Sequence, residues 1–179
     1  MKNQIVVDIV WWRVTSVFSF MKAKAVSESQ VEMTEIVMPQ DTNSLGTIFG
    51  GRVMQWMDIA AAISGFRHCL TAVVTACVDA FVFHSPIKIG EIVSIKASVN
   101  YTGKTSMEIG VRVDAEDPIT GKTKHASSAY FTFVATDNTG RPIAVPPVKP
   151  VSQVEKRRYK DGEKRRAARL EMREKTHAR

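Results

Sequence analysis

The 179-residue sequence is poor in cysteine, and its two cysteines, Cys69 and Cys77, both stand in apolar surroundings. Isolated cysteines of this kind are typical of buried free thiols in a reducing compartment, and they argue against a disulfide-stabilised secreted domain. The four histidines are scattered along the chain, and no Cys/His spacing matches a structural zinc site. We therefore expect neither disulfide bonds nor a bound metal.

No long uninterrupted apolar run is present either. The N-terminal stretch Ile5–Phe20 is hydrophobic but is broken by Asp8 and Arg13, so it is too short and too polar for a transmembrane helix. It also lacks a clean small-residue cleavage site of a signal peptide. We expect no membrane partner. Residues 1–21 are predicted to be an extension outside the fold. An upstream start codon is one explanation for it, since Met21 begins a second, more ordinary polar start.

The excess of positive charge is confined to one end of the chain. Residues 151–179 hold 11 Lys and Arg against 5 Asp and Glu, whereas residues 1–150 hold 14 against 13. The formal net charge of +7 therefore arises mainly from the C-terminal tail, and it gives no reason to expect a nucleic-acid partner. A proline-containing linker precedes this tail, and residues 149–179 are predicted to be a charged helix or a solvated basic tail.

The body of the chain, residues 22–148, predicts one α+β domain. The pattern favours a strand over Val31–Met38, a helix from Gly50 or Gly51 to about Leu70, and four further strands, over 73–83, 91–101, 105–116 and 122–137. In the third strand Val93, Ile95, Ala97, Val99 and Tyr101 share one face, and such alternation is typical of an antiparallel sheet with one buried face. We expect a long central helix wrapped by a five-stranded antiparallel sheet, the last four strands forming a meander.

One charge interrupts the apolar helix. Burying Asp58 in this stretch is costly, so its carboxylate is expected to be paired, protonated or functional. Gly51 precedes it by two helical turns, or about 10 Å along the axis, and glycine at a helix start exposes unpaired N–H groups to an approaching carbonyl. Asn43, just upstream, could orient water or polarise that carbonyl. The alternatives are a structural carboxylate at Asp58 and a simple turn residue at Asn43.

Several segments in one order carry a resemblance. They are Met38–Asn43, Gly46, Ile48–Gly51, Met54, Met57, Asp58, Asp79–Pro86, Gly90, Glu91, Tyr101–Met107 and Phe131–Ala135. Together they resemble the hotdog-fold acyl-CoA thioesterases, and within them the cytosolic acyl-CoA hydrolase branch of YciA-type and brain-type enzymes. The resemblance covers about residues 31–145, which is the whole predicted domain.

The resemblance implies a hotdog fold, a dimer with sites at the interface and a hexamer built as a trimer of dimers. It implies cytoplasmic hydrolysis of acyl-CoA to a free acid and CoA without a metal or organic cofactor. Asp58 matches the catalytic acid of the family, acting as general base or as nucleophile, and Asn43 matches an asparagine supplied by the neighbouring subunit. Gly51 would donate its backbone N–H to the oxyanion.

Contacts to the CoA part of the substrate are expected at a glycine turn and near the helix start. The turn offers a cation and hydroxyls at Gly103, Lys104, Thr105 and Ser106, although an ordinary hairpin explains it equally well. Gly50 and Ser85 are further candidates. Two other functions stay open, namely a hotdog hydratase or dehydratase, for which His68 is the nearest histidine to Asp58 on the helix, and a non-enzymatic protein that binds partners through its basic tail.

Overall fold

The computed structural model describes residues 21–177, and the predicted N-terminal extension, Met21 apart, lies outside this range. The strands are β1 (Lys24–Ala25), β2 (Val31–Ile36), β3 (Ala72–Phe83), β4 (Ile92–Thr102), β5 (Ser106–Glu116), β6 (Thr123–Thr136) and β7 (Val148–Lys149). The helices are α1 (Gly50–Cys69) and α2 (Gln153–His177), with short 3-10 turns at Val26–Ser29 and Pro39–Asp41. Among the described residues, neither helix combines the length and apolar character needed to span a membrane.

A five-stranded antiparallel sheet forms the body of the fold, in the order β2-β4-β5-β6-β3. The expected α+β architecture is therefore confirmed, but the predicted meander of the last four strands is wrong at one place. β3 pairs with β6 instead of β4, because α1 crosses the face of the sheet after β2 and brings β3 to the opposite edge. The result leaves β2 and β3 as the two edge strands.

The core lies between α1 and one face of the sheet. The predicted inward residues of β4 and β5 are buried, with Val93, Ile95, Val99 and Ile109 at 0% exposure. From α1 they meet Val53, Met57, Ala60 and Ala61, which are also fully buried. Each Val, Ile or Met side chain of this set contributes about 1.5–3 kcal/mol on burial, so this layer is the main source of stability.

A β-bulge changes the face of one predicted core residue. The register of β4 against β5 shifts between Val99 and Tyr101, so that Tyr101 pairs with Glu108 and not with an inward residue. A bulge adds one unpaired residue and reverses the side-chain alternation beyond it. Tyr101 was expected beside Val99 on the inner face, and instead it lies on the outer face of the sheet.

The outer face is covered in part by α2, which the sequence left open between a helix and a solvated tail. Tyr159 of α2 packs against Tyr101, with ring centroids 5.0 Å apart. Gly162 lies so close to the sheet that a Cβ there would be 2.9 Å from Glu108 Oε1 and 2.9 Å from Tyr101 Cβ. The basic segment is thus a helix that contacts the sheet from Tyr159 to Arg169, and glycine at position 162 lets the two backbones approach.

Candidate active site

Asp58 occupies the third turn of α1 and is half-buried. Its Oδ1 accepts a hydrogen bond of 2.8 Å from the Thr75 hydroxyl on β3. No Lys, Arg or His of the described chain lies within ion-pairing distance of the carboxylate. Thr75 was not among the residues predicted from the sequence, although it is a lone hydroxyl in the apolar run Val73–Val78.

The loop before α1 is held in place by a buried carboxylate. Asp41, whose side chain is only 4% exposed, accepts a hydrogen bond from Met38 N at 3.0 Å and forms an ion pair with Arg52 at 2.8 Å. The carbonyl of Asp41 also accepts from Phe49 N at 2.8 Å. These contacts tie the start of α1 to the loop that carries Asn43.

The first N–H groups of α1 are left without acceptors in the described residues. Phe49 precedes the helix and makes no side-chain cap, and Gly50 and Gly51 stand at positions that have no intrahelical acceptor. Two aromatic rings pack where side chains would be. A Cβ at Gly51 would lie 2.7 Å from Phe49 Cε1, and one at Gly50 would lie 3.1 Å from Phe83 Cζ.

Asn43 makes its hydrogen bonds within its own loop. Its Oδ1 accepts from Leu45 N at 2.9 Å and its Nδ2 donates to the Thr47 hydroxyl at 3.0 Å. No hydrogen bond joins it to Asp58 among the described residues. Within one chain Asn43 therefore acts as a turn residue, and its predicted contribution to a site across an interface stays a prediction.

The candidate CoA contacts do not form one cluster within a chain. Ser85 N donates to Ala126 O near the start of β6, whereas Ala135 N near its end donates to Thr105 O of the β4–β5 turn. Nine strand residues separate these points, or about 30 Å at 3.3 Å per residue. Gly103, Lys104, Thr105 and Ser106 thus lie at the opposite end of the sheet from Ser85 and Gly50.

The face that carries Asp58 is open and apolar. In α1 Met54, Ile59 and Phe66 are 41–47% exposed, and in the edge strand β3 Val74 and Phe83 are 50% and 51% exposed. Contiguous apolar surface beside an unpaired strand edge marks a protein interface. This flank is available to the second copy of the chain that the resemblance implies.

The hydratase alternative would use His68 as its histidine. The His68 side chain faces the core and does not face Asp58. It is fully buried, and its Nε2 donates to the carbonyl of Pro146 at 2.8 Å, while its Nδ1 is buried without a partner in the described chain. Burial lowers the pKa of His68 below its ordinary value of 6.5. A neutral histidine locked to the linker does not supply the acid–base pair of a hydratase.

The two cysteines are free thiols. Burial raises the pKa of Cys69 to about 11. Cys77, which is half-buried and not fully buried as predicted, has its pKa raised by burial and by its contact with Asp79. Both thiols are protonated at neutral pH, so neither is an activated nucleophile.

A groove of about 750 Å³ lies on the outer face of the sheet, away from Asp58. It is lined by Lys96, Arg112, Tyr130, Arg157, Arg158 and Arg165, among others. Its position beyond the sheet excludes it as the place where Asp58 meets a substrate.

Within the described range, no group of three or more His, Cys, Asp and Glu side chains is arranged to hold a metal ion.

Comparison with known proteins places the chain in a family. Residues 45–122 match the Thioesterase superfamily. The acyl-CoA thioester hydrolase YkhA of Bacillus subtilis is 41% identical over 128 residues, which is 72% of this chain and 74% of that protein. The chain belongs to the hotdog-fold acyl-CoA thioesterases. The family and fold predicted from the sequence are thereby confirmed.

One similar member of the thioesterase family is a longer protein, and others have solved structures. The cytosolic acyl coenzyme A thioester hydrolase of Rattus norvegicus is 39% identical over 142 residues, covering 78% of this chain but only 37% of the rat protein. A solved apo-hexameric acyl-CoA thioesterase is 38% identical with a TM-score of 0.82, covering 85% of this chain and 97% of the other. The acyl-CoA hydrolase of Staphylococcus aureus, solved with butyryl coenzyme A, is 39% identical with a TM-score of 0.78, covering 87% and 98%.

Variants of this thioesterase from Staphylococcus aureus have also been solved. They replace an asparagine, an aspartate and a threonine by alanine, one at a time, with the aspartate 15 residues after the asparagine and the threonine 17 residues after the aspartate. Asn43, Asp58 and Thr75 show the same two spacings.

Proposed function

We propose that this protein hydrolyses acyl-CoA thioesters to a free acid and CoA, with Asp58 as the residue that carries the chemistry. The observation that supports this most directly is the Thr75–Asp58 hydrogen bond on an open helix flank. The same asparagine, aspartate and threonine spacing occurs in the variants of the Staphylococcus aureus hydrolase.

Thr75 positions the carboxylate. By donating to Oδ1 it leaves Oδ2 of Asp58 available to the substrate. In the general-base route, Asp58 takes a proton from water as the water oxygen attacks the thioester carbonyl, and the proton passes to the departing CoA sulfur. In the nucleophilic route, the Asp58 carboxylate attacks the carbonyl itself and CoA leaves as the thiolate, which takes a proton from water. A second water then hydrolyses the mixed anhydride, which releases the product acid and restores the Asp58 carboxylate.

The oxyanion site is proposed to come from the helix start. A backbone donor aimed at the developing oxyanion contributes about 3–4 kcal/mol to barrier lowering, and Gly51 N–H is such a donor. Gly51 and Asp58 of one chain are separated by about 10 Å along α1, which is too far for both to reach one carbonyl carbon.

A second copy of the chain would bring the helix start of one chain close to Asp58 of the other. If two β3 strands pair antiparallel around a two-fold axis, the Phe83 end of one lies beside the Ala72 end of the other. Gly50 packs on Phe83 and Asp58 on Thr75, so the helix start of one chain then approaches Asp58 of the partner subunit. Asn43, in the loop tied to that helix start, would enter the same site.

The proposed assembly is therefore a dimer at least, and the solved hexameric relative supports a trimer of dimers. We propose that the reaction needs no metal or organic cofactor, since a carboxylate, backbone donors and water suffice for thioester hydrolysis. Cytoplasmic location is proposed on the naming of the rat relative as cytosolic.

The test is thiol release from a panel of acyl-CoA substrates. Wild type is expected to hydrolyse them, Asp58→Asn to lose at least about a hundredfold in kcat because the base or nucleophile is gone, and Thr75→Val to lose about tenfold through misorientation. Asp117→Asn, the same chemical change at the exposed β5–β6 turn, is the matched control and should retain full activity. Full turnover by Asp58→Asn would exclude the mechanism.

A single-turnover reaction in ¹⁸O-water provides a positive test of the nucleophilic route. A nucleophilic Asp58 incorporates ¹⁸O into its own carboxylate when the anhydride is hydrolysed at the aspartyl carbonyl, whereas a general base directs the label only into the product acid. Mass spectrometry of the peptide that contains Asp58 reads the outcome.

A further inference from the structure

Arg165, Arg166 and Arg169 of α2 are half-buried beside the sheet, and among the described residues Arg166 has no Asp or Glu partner. Arg165 bonds to Glu108 on β5, and Arg169 forms an ion pair with Asp79 on β3. Arg166 stands between them and is half-buried, yet no Asp or Glu in residues 21–175 lies within ion-pairing distance of it. A half-buried guanidinium without a counterion is a site that favours an anion.

The Arg166 guanidinium lies against the β4–β5 turn. A Cβ at Gly103 would be 3.0 Å from Arg166 Nε and 3.4 Å from Cζ, and 3.2 Å from the Ser106 hydroxyl. The missing side chain of Gly103 therefore leaves a notch on which a cation and a hydroxyl converge. Lys104, at the tip of the same turn, adds a second positive charge to this end of the sheet.

The part of α2 that carries Arg166 is anchored to the sheet on both sides of this residue. The bidentate Arg165–Glu108 contact, at 2.6 and 3.0 Å, anchors the helix one residue earlier, and the Arg169–Asp79 ion pair anchors it one turn later. A planar guanidinium can bind phosphate through two parallel hydrogen bonds, so an arginine presented at this turn is a better phosphate ligand than a lysine.

We propose that Arg166 is a ligand for a phosphate group of the CoA substrate, completing the turn site of Gly103 and Ser106. This proposal rests on the proposed thioesterase function. The turn lies two strands from Thr75, since Met107 pairs with Phe133 and Phe133 pairs with Thr75, a lateral distance of about 10 Å. A thioester at this end of the sheet can therefore extend its phosphate end toward α2, which lies outside the family match at residues 45–122.

The test compares substrates with and without phosphate. Arg166→Ala is expected to raise KM for acyl-CoA about tenfold, the size of one charge-assisted hydrogen bond in a partly exposed site, with kcat changed less than about twofold. For the matching acyl-N-acetylcysteamine thioester, which has no phosphate, neither constant should change. Lys164→Ala, an equal loss of charge at an exposed position of α2, is the control and should match wild type.

Gly103→Ala provides a second variant that leaves every charge in place. Its methyl group would displace the end of the Arg166 side chain, a shift that costs little stability because the guanidinium is flexible. We expect a rise in KM similar to that of Arg166→Ala, and no further rise in the double variant. The thioester of 3′-dephospho-CoA shows which phosphate group Arg166 binds. If Arg166→Ala still raises KM for this substrate, Arg166 binds the diphosphate. If KM no longer rises, Arg166 binds the 3′-phosphate.

Two results would overturn the proposal. One is a KM for acyl-CoA that is equal in Arg166→Ala and Lys164→Ala. The other is an equal loss on the phosphate-free thioester, which would show that Arg166 only supports the fold. If wild type hydrolyses no acyl-CoA at all, the proposed function fails, and calorimetric titration with CoA alone still decides whether Arg166→Ala weakens binding.

Discussion

Glu108 is a buried carboxylate whose charge is compensated by a residue of α2, far along the chain. Its side chain is 1% exposed, and Arg165 contacts both of its oxygens, at 2.6 and 3.0 Å. Asn100 Nδ2 adds a long hydrogen bond of 3.4 Å. The Arg165 guanidinium also lies over the Tyr130 ring, 3.6 Å from its centroid. We predict that this contact is the main link between α2 and the sheet.

Arg165→Met should test the link, because it keeps the aliphatic stem and removes the charge. Breaking a buried ion pair from one side costs about 3–5 kcal/mol, since the remaining charge is left without a partner. For a domain of this size each kcal/mol lowers Tm by about 2–4 °C, so the expected fall in Tm is roughly 6–20 °C. The chain can limit this loss by releasing α2 and exposing Glu108 to water.

Urea unfolding at fixed protein concentration measures the free energy of unfolding. Hydrogen exchange of the α2 amides measures the release of this helix from the sheet. Glu108→Gln removes the charge from the other side and should rescue Arg165→Met in the double variant, because no buried charge then remains. The reasoning is refuted if Arg165→Met changes neither the free energy of unfolding nor the protection of α2. It is refuted equally if the double variant loses the sum of the two single losses.

Two further predictions concern pH and assembly. Because burial lowers the pKa of His68, the unfolded chain binds more protons than the folded one below about pH 6.5, and the free energy of unfolding should fall there with a slope of up to about 1.4 kcal/mol per pH unit. His68→Gln should flatten this slope in urea unfolding between about pH 5 and 7, and an unchanged slope would exclude His68 as its source. Val78→Lys, on the edge strand, should convert the oligomer to monomers in light scattering and abolish turnover, whereas Ile119→Lys, in an exposed turn, should do neither. A Val78→Lys variant that stays oligomeric and active would place the interface elsewhere.

The inner layer of the fold could be predicted because it depends on local periodicity. Alternating apolar residues such as Val93 and Ile95 must face a core whichever strands they pair with, and the structure buries both completely. The position of α1 followed in the same way from its apolar length. Strand order did not follow, because periodicity gives faces and not neighbours, and β3 pairs with β6 across a separation of about fifty residues.

The outer face could not be predicted, for two physical reasons. The bulge before Tyr101 reverses the alternation, and nothing in the local sequence requires the extra residue. The docking of α2 depends on contacts such as Arg165 to Glu108, 57 residues apart, in a segment whose composition resembles a solvated helix. A glycine at position 162, costly by about 1 kcal/mol inside a helix, was the one available indication of close packing.

The candidate site shows the same division between local and long-range information. Asp58 could be singled out because a carboxylate in an apolar helix is a local anomaly. Its partner Thr75 could not, because the hydrogen bond joins a helix and a strand whose contact is set by the tertiary fold. A threonine within an apolar strand is unremarkable until its hydroxyl is seen to face a carboxylate.

The open flank of α1 and β3 joins the stability of the protein to its proposed chemistry. In one chain this flank exposes Phe66, Val74 and Phe83, and it also leaves Asp58 half-buried with its hydrogen bond from Thr75. A second copy seated there would bury the apolar residues and remove water from around the carboxylate at the same time. Electrostatic stabilisation of an oxyanion is stronger in such a water-excluded site. Assembly and activity should therefore be lost together, and a variant that becomes monomeric while retaining turnover would show that one chain holds a complete site.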